Sequence, residues 1–411
     1  MIEKFKHTEF GIIPIDWHFS NMETISEKIM VGIASAATHA YRQKGVILLR
    51  NQNIRNGHLD DSDILYVDEN YEKTYSNKRL KKGDLITART GYPGATCLVP
   101  AKYEGAQSFT TLIVRPKKNK ANPEYLNHYI NSEKGQSFFF TNQIGGSQKN
   151  VNAGTLKTMP IPLPPTEAEQ AAIAKVLNDA DALINSLERL IGKKRAIKQG
   201  AMQGLLYPKA NWRGIALNKI GKTYGGLSGK TKSDFSSGNC PYIPFMNVMS
   251  NTIIDTAYFD YVKIGPTEKQ NKAAKGDLLI NGSSETPEEL GMCAVLLNIV
   301  PDLYLNSFCF GFRLFNEKEM NGLYLAYFFR SNYGRSLLYV LAQGATRHNL
   351  SKANFLQLEF QVPNFEEQTH IANSLYDMDA EIALLEEKLE KQKRIKQGMM
   401  QVLLTGKVRL I

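Results

Sequence analysis

The chain has 411 residues, too many for one typical hydrophobic core, so the sequence predicts two or more domains. Its hydrophobic content of 43% and charged content of 22% are those of an ordinary soluble globular protein, and no apolar run approaches the roughly 18 residues of a membrane span. The net charge of +10 fits a polyanionic partner about as well as it fits general solubility. Without a secretory signal or clustered cysteines, we expect a cytoplasmic protein with free thiols.

The predicted elements fall into two similar halves. The first globular segment, residues 1–158, holds many short strands, a Lys82-Gly83-Asp84-Leu85 turn and an amphipathic helix. The same order recurs over residues 208–361, where Lys275-Gly276-Asp277-Leu278 matches the first turn and the two tryptophans of the chain match each other. The pattern predicts an internal repeat of two domains in the α+β (mixed α/β) class.

A long helix is predicted after each globular segment, within residues 159–207 and 362–411. Apolar residues recur in both helices with alternating steps of four and three, which is the spacing of a coiled-coil seam. The seam residues are Ile173, Leu177, Ala180, Ile184, Leu187 and Ile191 in the first helix, and Ile371, Leu375, Met378, Ile382, Leu385 and Leu389 in the second. We expect the two seams to pack on each other within the chain; the alternative is that each seam packs on its own domain.

The two long helices have predicted starts. Prolines bar a helix before Thr166, and Thr166 with Glu169 forms a possible capping box. Asn364 and Glu367 offer the same arrangement in the second half. Because the helical segments are almost neutral, the excess positive charge lies in the two globular segments, which favours a polyanion bound there.

Polar loops at matching places in the two globular segments are the main indication of function. Arg, Lys, Asn, Gln and His side chains pair with base edges, and Ser and Thr also hold phosphates. The DNA-binding candidates are His39, Arg42, Lys44, Arg50, Asn53, Arg55, Arg89, Thr90, Tyr92, Gln148, Lys149 and Asn150 in the first segment, and Lys230, Lys232, Asn247, Asn281, Ser283, Ser284, Arg347, His348 and Asn349 in the second. Each residue taken alone is more often an ordinary solvated residue. A matching framework with different loop tips is what two unlike half-sites would require.

No catalytic or metal site is predicted. The run Gly225–Thr231 resembles a phosphate-binding loop but has three residues between its glycines instead of four. Asn122-Pro123-Glu124-Tyr125 resembles a motif of amino-methyltransferases, yet a helix cap followed by proline explains it better. The histidines and cysteines are dispersed, without the spacing of metal ligands.

Taken over its full length, the chain resembles the DNA specificity subunit of type I restriction-modification systems. The resemblance rests on matching segments at Gly11–Trp17, at both Lys-Gly-Asp-Leu turns, at Gly145–Asn150, at Ser283–Gly291 and, most strongly, at Ile161–Gln170. Residues Val362–Gln368 lack the multiple prolines of that last motif, so the two helix entries need not have the same shape.

The resemblance implies a non-catalytic subunit whose two target-recognition domains each read one half of a bipartite site in double-stranded DNA. The long helices, packed as an antiparallel coiled coil, would set the gap and relate the two halves by a pseudo-two-fold axis. It further implies two methyltransferase (modification) subunits and the restriction or motor subunits as partners. S-adenosylmethionine, ATP and magnesium would belong to those partners, with no cofactor on this chain. Two rival classes stay open: a coiled-coil scaffold that binds no nucleic acid, and a self-sufficient enzyme such as a nuclease.

Overall fold

The structure is a computed structural model that describes residues 5–410 with the exception of residues 10, 36, 144–148, 237 and 345–346. The chain divides into two compact units. Unit 1 comprises Met1–Glu188 and Glu387–Ile411, and unit 2 comprises Arg189–Glu386. Each unit therefore contains one globular domain together with part of both long helices.

Over its described residues, unit 1 begins with a dozen short strands and five short α-helices. The strands are β1 (Phe5–Thr8), β2 (Gly11–Pro14), β3 (His18–Asn21), β4 (Ser26–Val31), β5 (Tyr41–Arg42), β6 (Val46–Arg50), β7 (Leu65–Val67), β8 (Leu85–Thr87), β9 (Thr96–Leu98), β10 (Gln107–Phe109), β11 (Leu112–Pro116) and β12 (Pro160–Leu163). The helices are α1 (Met22–Ile25), α2 (Glu69–Lys73), α3 (Pro123–Ile130), α4 (Glu133–Thr141) and α5 (Ala153–Lys157). The first long helix, α6, covers Glu167–Leu205.

Unit 2 repeats the core of this order, with different short elements between the core strands. Its strands are β13 (Arg213–Ala216), β14 (Gly221–Gly225), β15 (Cys240–Ile243), β16 (Asp260–Val262), β17 (Leu278–Asn281), β18 (Ser283–Ser284), β19 (Cys293–Val295), β20 (Tyr304–Leu305), β21 (Cys309–Leu314), β22 (His348–Asn349) and β23 (Glu359–Val362). Its helices are α7 (Leu217–Ile220), α8 (Lys232–Ser236), α9 (Phe245–Ser250), α10 (Gly322–Arg330), α11 (Asn332–Tyr339) and α12 (Lys352–Leu356). The second long helix, α13, covers Phe365–Leu403.

The strand order confirms the predicted mixed α/β repeat. One antiparallel sheet has the order β4-β11-β8-β9 in unit 1 and β14-β21-β17-β19 in unit 2. A second sheet combines a parallel pair, β6 with β10 or β15 with β20, and an antiparallel neighbour, β7 or β16. The same core elements are thus assembled twice, and the loops at the strand ends differ.

The two matching Lys-Gly-Asp-Leu turns belong to this common framework. Gly83 and Gly276 have φ values of 86° and 89°, a left-handed conformation that favours glycine. The aspartates that follow are buried, and each accepts two hydrogen bonds from an arginine on the neighbouring strand, Arg115 on β11 or Arg313 on β21. The repeat keeps these residues because they fix a turn to a sheet.

A short antiparallel strand pair closes each domain where the chain enters and leaves it. In unit 1, β3 pairs with β12, and Asn21 lies opposite Pro160. In unit 2, β13 pairs with β23, and Ala216 lies opposite Glu359. The two ends of each domain are therefore adjacent.

The two long helices pack together and run antiparallel within each unit. In unit 1, Asp181 and Glu188 of α6 form ion pairs with Lys396 and Lys393 of α13. Residue numbers therefore increase along α6 where they decrease along α13, which is antiparallel packing. In unit 2 the ion pairs Lys194–Glu381 and Lys198–Asp379 follow the same rule. This packing confirms that the helices associate within the chain.

Most of the seam is buried, and its surroundings change along each helix. Nine of the twelve predicted seam residues are buried, whereas Ala180, Met378 and Leu385 are half-buried. Ile173 and Leu177 belong to the hydrophobic core of unit 1, which also contains Leu403 from the end of α13. The first turns of α6 therefore pack on the domain as well as on the partner helix, so both interpretations of the seam hold in part.

Candidate nucleic-acid interface

Three loops of unit 1 meet beside the ends of β6 and β10. The amide oxygen of Asn51 accepts a hydrogen bond from the backbone N–H of Arg89 at 2.9 Å, and its amide nitrogen donates to Oγ1 of Thr110 at 3.0 Å. The backbone N–H of Val151 donates to the carbonyl of Arg89 at 3.2 Å, and the Arg89 guanidinium donates back to the Val151 carbonyl at 3.3 Å. We call this shared surface, formed by residues 50–55, 89–92 and 149–150, loop surface 1.

Thr110 has an unusual backbone at the edge of loop surface 1. Its φ of 54° lies in the left-handed region, which a β-branched residue rarely adopts. Its backbone N–H donates to the Ile33 carbonyl at 2.9 Å, and its hydroxyl accepts the bond from Asn51. Such strain persists where the surroundings determine it, and it is often found at functional sites.

Loop surface 1 presents exposed cationic and aromatic groups. Tyr92 is 73% exposed, and it follows Gly91, whose φ is 79°. Lys149 is exposed, and its ammonium lies 5.0 Å from the ring centroid of Phe140, which is itself 70% exposed. Aromatic faces next to cations suit the stacked bases and phosphates of nucleic acid.

Three of the candidate arginines in unit 1 bind carboxylates of their own domain. Arg42 lies 3.4 Å from Asp68, Arg50 lies 2.7 Å from Asp63, and Arg55 lies 3.2 Å from Asp60. These pairs are partly exposed, so the arginines are oriented and their charge is partly neutralised.

Unit 2 brings a second set of loops together. Ser283 and Ser284 on β18 pair with Asn349 and His348 on β22. The backbone N–H of Gly282 donates to the carbonyl of Phe308 at 3.0 Å. The guanidinium of Arg347 lies 5.2 Å from the ring centroid of Phe308, whose ring in turn packs edge-on against Phe245 at 6.3 Å. We call the surface formed by residues 282–284, Phe308 and residues 347–349 loop surface 2.

Asn53 and Asn247, two of the candidates, lie inside the domains. The amide nitrogen of Asn53 donates to the carbonyls of Asp60 at 3.0 Å and Asp63 at 2.9 Å. Asn247 is fully buried and donates to the carbonyls of Asp255 at 2.9 Å and Tyr258 at 2.7 Å. Asn53-Ile54 and Asn247-Val248 occupy matching places in the two halves of the sequence, and both asparagines hold the loop that follows them.

Asn281, Ser284 and Lys230 are also occupied within unit 2. Asn281 is fully buried and donates to the Glu289 carbonyl at 3.0 Å, while the Ser284 hydroxyl donates to the Glu289 carboxylate at 2.9 Å. The ammonium of Lys230 lies 2.6 Å from Glu268, and this hydrogen bond is the main reason that the pKa of the Glu268 carboxyl falls to about 2. These side chains shape the loops and are not free to reach a ligand.

The remaining candidates lie away from the two loop surfaces. Val67 on β7 lies opposite Tyr41 on β5 and opposite Val46 at the start of β6. The segment with His39, Arg42 and Lys44 is therefore beside the start of β6, whereas loop surface 1 is at the end of this strand. In unit 2, α8, which carries Lys232, packs against β16, and Val262 of β16 pairs with Cys240 at the start of β15. Gln148 lies outside the described residues.

Asn51, Thr110 and Phe308 were missed among the sequence-based candidates. Asn51 lies inside a predicted loop, but nothing local marks it as the link between three loops. Phe308 lies in the sequence Ser307-Phe308, which matches Ser108-Phe109 in the first half, and this match does not reveal that Phe308 is 49% exposed. Among the described residues, no group of His, Cys, Asp and Glu could hold a metal ion. No helix in this part of the chain is long and apolar enough to cross a membrane.

Comparison with known proteins identifies the family. The model of the type I restriction modification DNA specificity domain matches twice, over residues 14–199 and 210–394. The MjaX specificity subunit of Methanocaldococcus jannaschii, named for a type I restriction enzyme, is 26% identical over 426 residues, covering 99% of this chain and 97% of that protein. The EcoKI specificity subunit of Escherichia coli is 23% identical over 192 residues, covering 45% of this chain and 40% of that protein.

Solved structures agree on the fold. The crystal structure of a type I restriction-modification S subunit from M. genitalium matches with a TM-score of 0.59 at 15% identity, covering 98% of this chain and 99% of that one. A chain from a structural study of type I complex assembly matches with a TM-score of 0.58 at 18% identity, covering 96% and 99%. The chain therefore belongs to the type I restriction modification DNA specificity family, as a specificity subunit with two copies of the family's domain.

Proposed function

We propose that this specificity subunit reads a bipartite site in double-stranded DNA, with loop surface 1 reading one half and loop surface 2 reading the other. The observation that carries the proposal is that each unit gathers three polar loops on one surface, supported by the same framework but tipped with different residues. Exposed cations bind phosphates, and a small number of side chains can then read base edges. Residues buried inside the loops, such as Asn53 and Asn247, take no part in this contact.

The two long helices supply the spacing in this proposal. Each has 39 residues, which corresponds to about 58 Å at 1.5 Å per residue. Each helix begins among the residues of one unit and ends among those of the other. Because antiparallel ion pairs fix the register of the two helices in both units, their length would determine how many base pairs separate the half-sites.

The catalytic work belongs to partner subunits. A specificity subunit is not itself catalytic, and members of this family typically bind no cofactor. Type I systems assemble from several subunits. We infer two methyltransferase subunits, which would use S-adenosylmethionine to methylate adenine, and restriction subunits, which would use ATP and magnesium, all in the cytoplasm.

A methylation map tests the proposal. The chain would be expressed with its cognate modification subunit in a host free of DNA methylation, and the modified bases would be sequenced. We expect one asymmetric motif made of two short sequences and a fixed unspecified gap. The modification subunit expressed alone is the control and should give no such motif. A contiguous motif, or no methylation by a complex shown to be assembled, would contradict the proposal.

A further inference from the structure

Arg347 differs from Arg313, Arg330 and Arg335 of the same domain because its guanidinium is not used by the framework. Arg313 binds the buried carboxylate of Asp277. Arg330 donates to four backbone carbonyls, and Arg335 donates to two. Arg347 is exposed and, within the described part of the chain, forms no ion pair with a carboxylate.

The contact with Phe308 orients this free guanidinium. The guanidinium carbon lies 5.2 Å from the centroid of the Phe308 ring, a cation–π distance. Phe308 is itself held in place. Its ring packs edge-on against Phe245, and its carbonyl accepts a hydrogen bond from the N–H of Gly282. A cation–π contact uses the π face of the ring and consumes none of the N–H groups of the guanidinium. An arginine that is already restrained loses less side-chain entropy when it binds.

The neighbouring backbone is also fixed. The short β18–β22 pair joins Ser283 to Asn349, two residues beyond Arg347. The N–H of Leu350 donates to the Gly282 carbonyl at 3.0 Å, which ties the same segment to the loop after β17. The arginine therefore projects from a segment that is anchored on one side by paired strands.

We propose that Arg347 reads a guanine in the half-site bound by unit 2, and that Phe308 is a positioning residue that holds its guanidinium ready; this rests on the proposed function. Guanine offers two acceptors, O6 and N7, in the major groove, and the planar fork of arginine matches both. Arginine also binds phosphate bidentately, but a phosphate contact carries no sequence information, so only a base contact makes the recognised motif depend on the fork. A restrained, unpaired fork on a fixed loop fits base reading better.

Loop surface 1 presents no such arginine–phenylalanine pair in its described part. Its cation–π contact joins Lys149 to Phe140, and a lysine is a point charge without the planar fork. The two loop surfaces would thus use different chemistry in their two half-sites.

The first test uses methylation mapping of the assembled modification complex. Arg347→Lys keeps the charge and removes the fork. We expect it to relax one guanine position in the unit 2 half-site, while the other half stays unchanged and serves as an internal control for folding. Phe308→Leu should relax the same position to a smaller extent. An unaltered motif in Arg347→Lys would mean a phosphate contact and would overturn the inference.

The second test changes one atom of the DNA. A duplex with 7-deazaguanine at that position lacks the N7 acceptor. Binding of the wild-type complex should weaken, by less than the about 5- to 150-fold expected for losing a whole bidentate base contact because O6 is retained, whereas Arg347→Ala should be insensitive to the change. An equal loss of affinity in the wild-type complex and in Arg347→Ala would exclude Arg347 as the residue that contacts this guanine. A bipartite wild-type motif without guanine in the unit 2 half would refute the inference alone, whereas no bipartite motif would refute the proposed function.

Discussion

His128 is a buried histidine at the junction between the domain of unit 1 and the long helices. Its Nε2 lies 2.8 Å from Oδ1 of Asn178, and its Nδ1 lies 4.0 Å from the carboxylate of Asp181, which also binds Lys396. Burial lowers the pKa of His128, and the charge of Lys396 lowers it further, while Asn178, Asp181 and Glu124 act in the opposite direction. The neutral ring is therefore favoured in the folded unit.

This shift predicts that acid destabilises unit 1. A histidine whose folded pKa lies below its unfolded value of about 6.5 takes up a proton more readily when the chain unfolds. Its contribution is thus present above that value and is lost as the pH falls through the two pKa values. His128→Tyr introduces the residue found at the matching position in unit 2, where Tyr327 donates to Asp379 at 2.7 Å. Urea unfolding between pH 7 and 5 should show a shallower loss of stability in this variant. An identical pH slope would contradict the prediction.

Single residues also show where sequence reasoning reached its limit. A match between the halves marks Asn53 and Asn247 as important but does not say whether they contact DNA or hold a loop. Their partners lie 7 to 11 residues further along the chain, and only the folded loop brings them into range. The exposure of Tyr92 and the pairing of Arg347 with Phe308 likewise depend on tertiary packing.

Whole elements were easier to predict when their signal was local. The long helices follow from a periodicity within one segment, and the N-cap bond of each predicted capping box is confirmed. The box is not closed, because the carboxylates of Glu169 and Glu367 bind Arg409 and Lys209. Thr166 accepts a hydrogen bond from the Glu169 N–H at 3.2 Å, and Asn364 accepts one from the Glu367 N–H at 2.8 Å. The order of the strands could not be predicted, because β6 pairs with β10 across more than fifty residues. The sequence indicates each candidate loop separately, but the order of the strands in the sheet determines which loops lie next to each other.

The length of the helices gives a prediction at this scale. Deleting Ile184–Leu190 from α6 together with Ile382–Lys388 from α13 removes seven residues from each antiparallel partner. The ion pairs Asp181–Lys396 and Lys198–Asp379 keep their register, and each helix shortens by about 10 Å. We expect the gap in the methylation motif to shrink by roughly three base pairs, at 3.4 Å for each, with both half-sequences unchanged.

Deleting Ile184–Leu190 alone is the matched control. The remaining part of α6 would then face α13 seven residues out of register, so Lys198 would no longer meet Asp379. The single deletion should reduce stability and methylation more than the double deletion does. New half-sequences in the double deletion would argue against helices that only set the gap.

For the molecule as a whole, each domain is an insertion whose ends lie side by side. Asn21 on β3 and Pro160 on β12 are direct neighbours, and the N–H of Met22 donates to the Met159 carbonyl at 3.0 Å. A replacement that joins at these two points leaves the strand pair and the long helices in place. The structure thus places the junctions for such a replacement after Asn21 and before Pro160. The first lies within the segment 1–158 that the sequence predicts, and the replaced part ends one residue beyond that segment.

Replacing residues 22–159 with the matching segment of another family member should change one half of the methylation motif. The gap and the other half should stay as in the wild type, because β3, β12 and both long helices are retained. The changed half also identifies which half belongs to unit 1. A simultaneous change in both halves would show that the units do not read DNA independently. Retained thermal stability of the assembled complex is the control for folding.

The division of the chain into units also has a consequence for biosynthesis. Unit 2 is one continuous segment, Arg189–Glu386, whereas unit 1 is completed only by residues from Glu387 onward. Leu403 and Leu404 are buried in the core of unit 1 beside residues such as Trp17. During translation, the domain that leaves the ribosome first is therefore finished last. Its apolar face stays exposed to solvent until the end of α13 has left the ribosome.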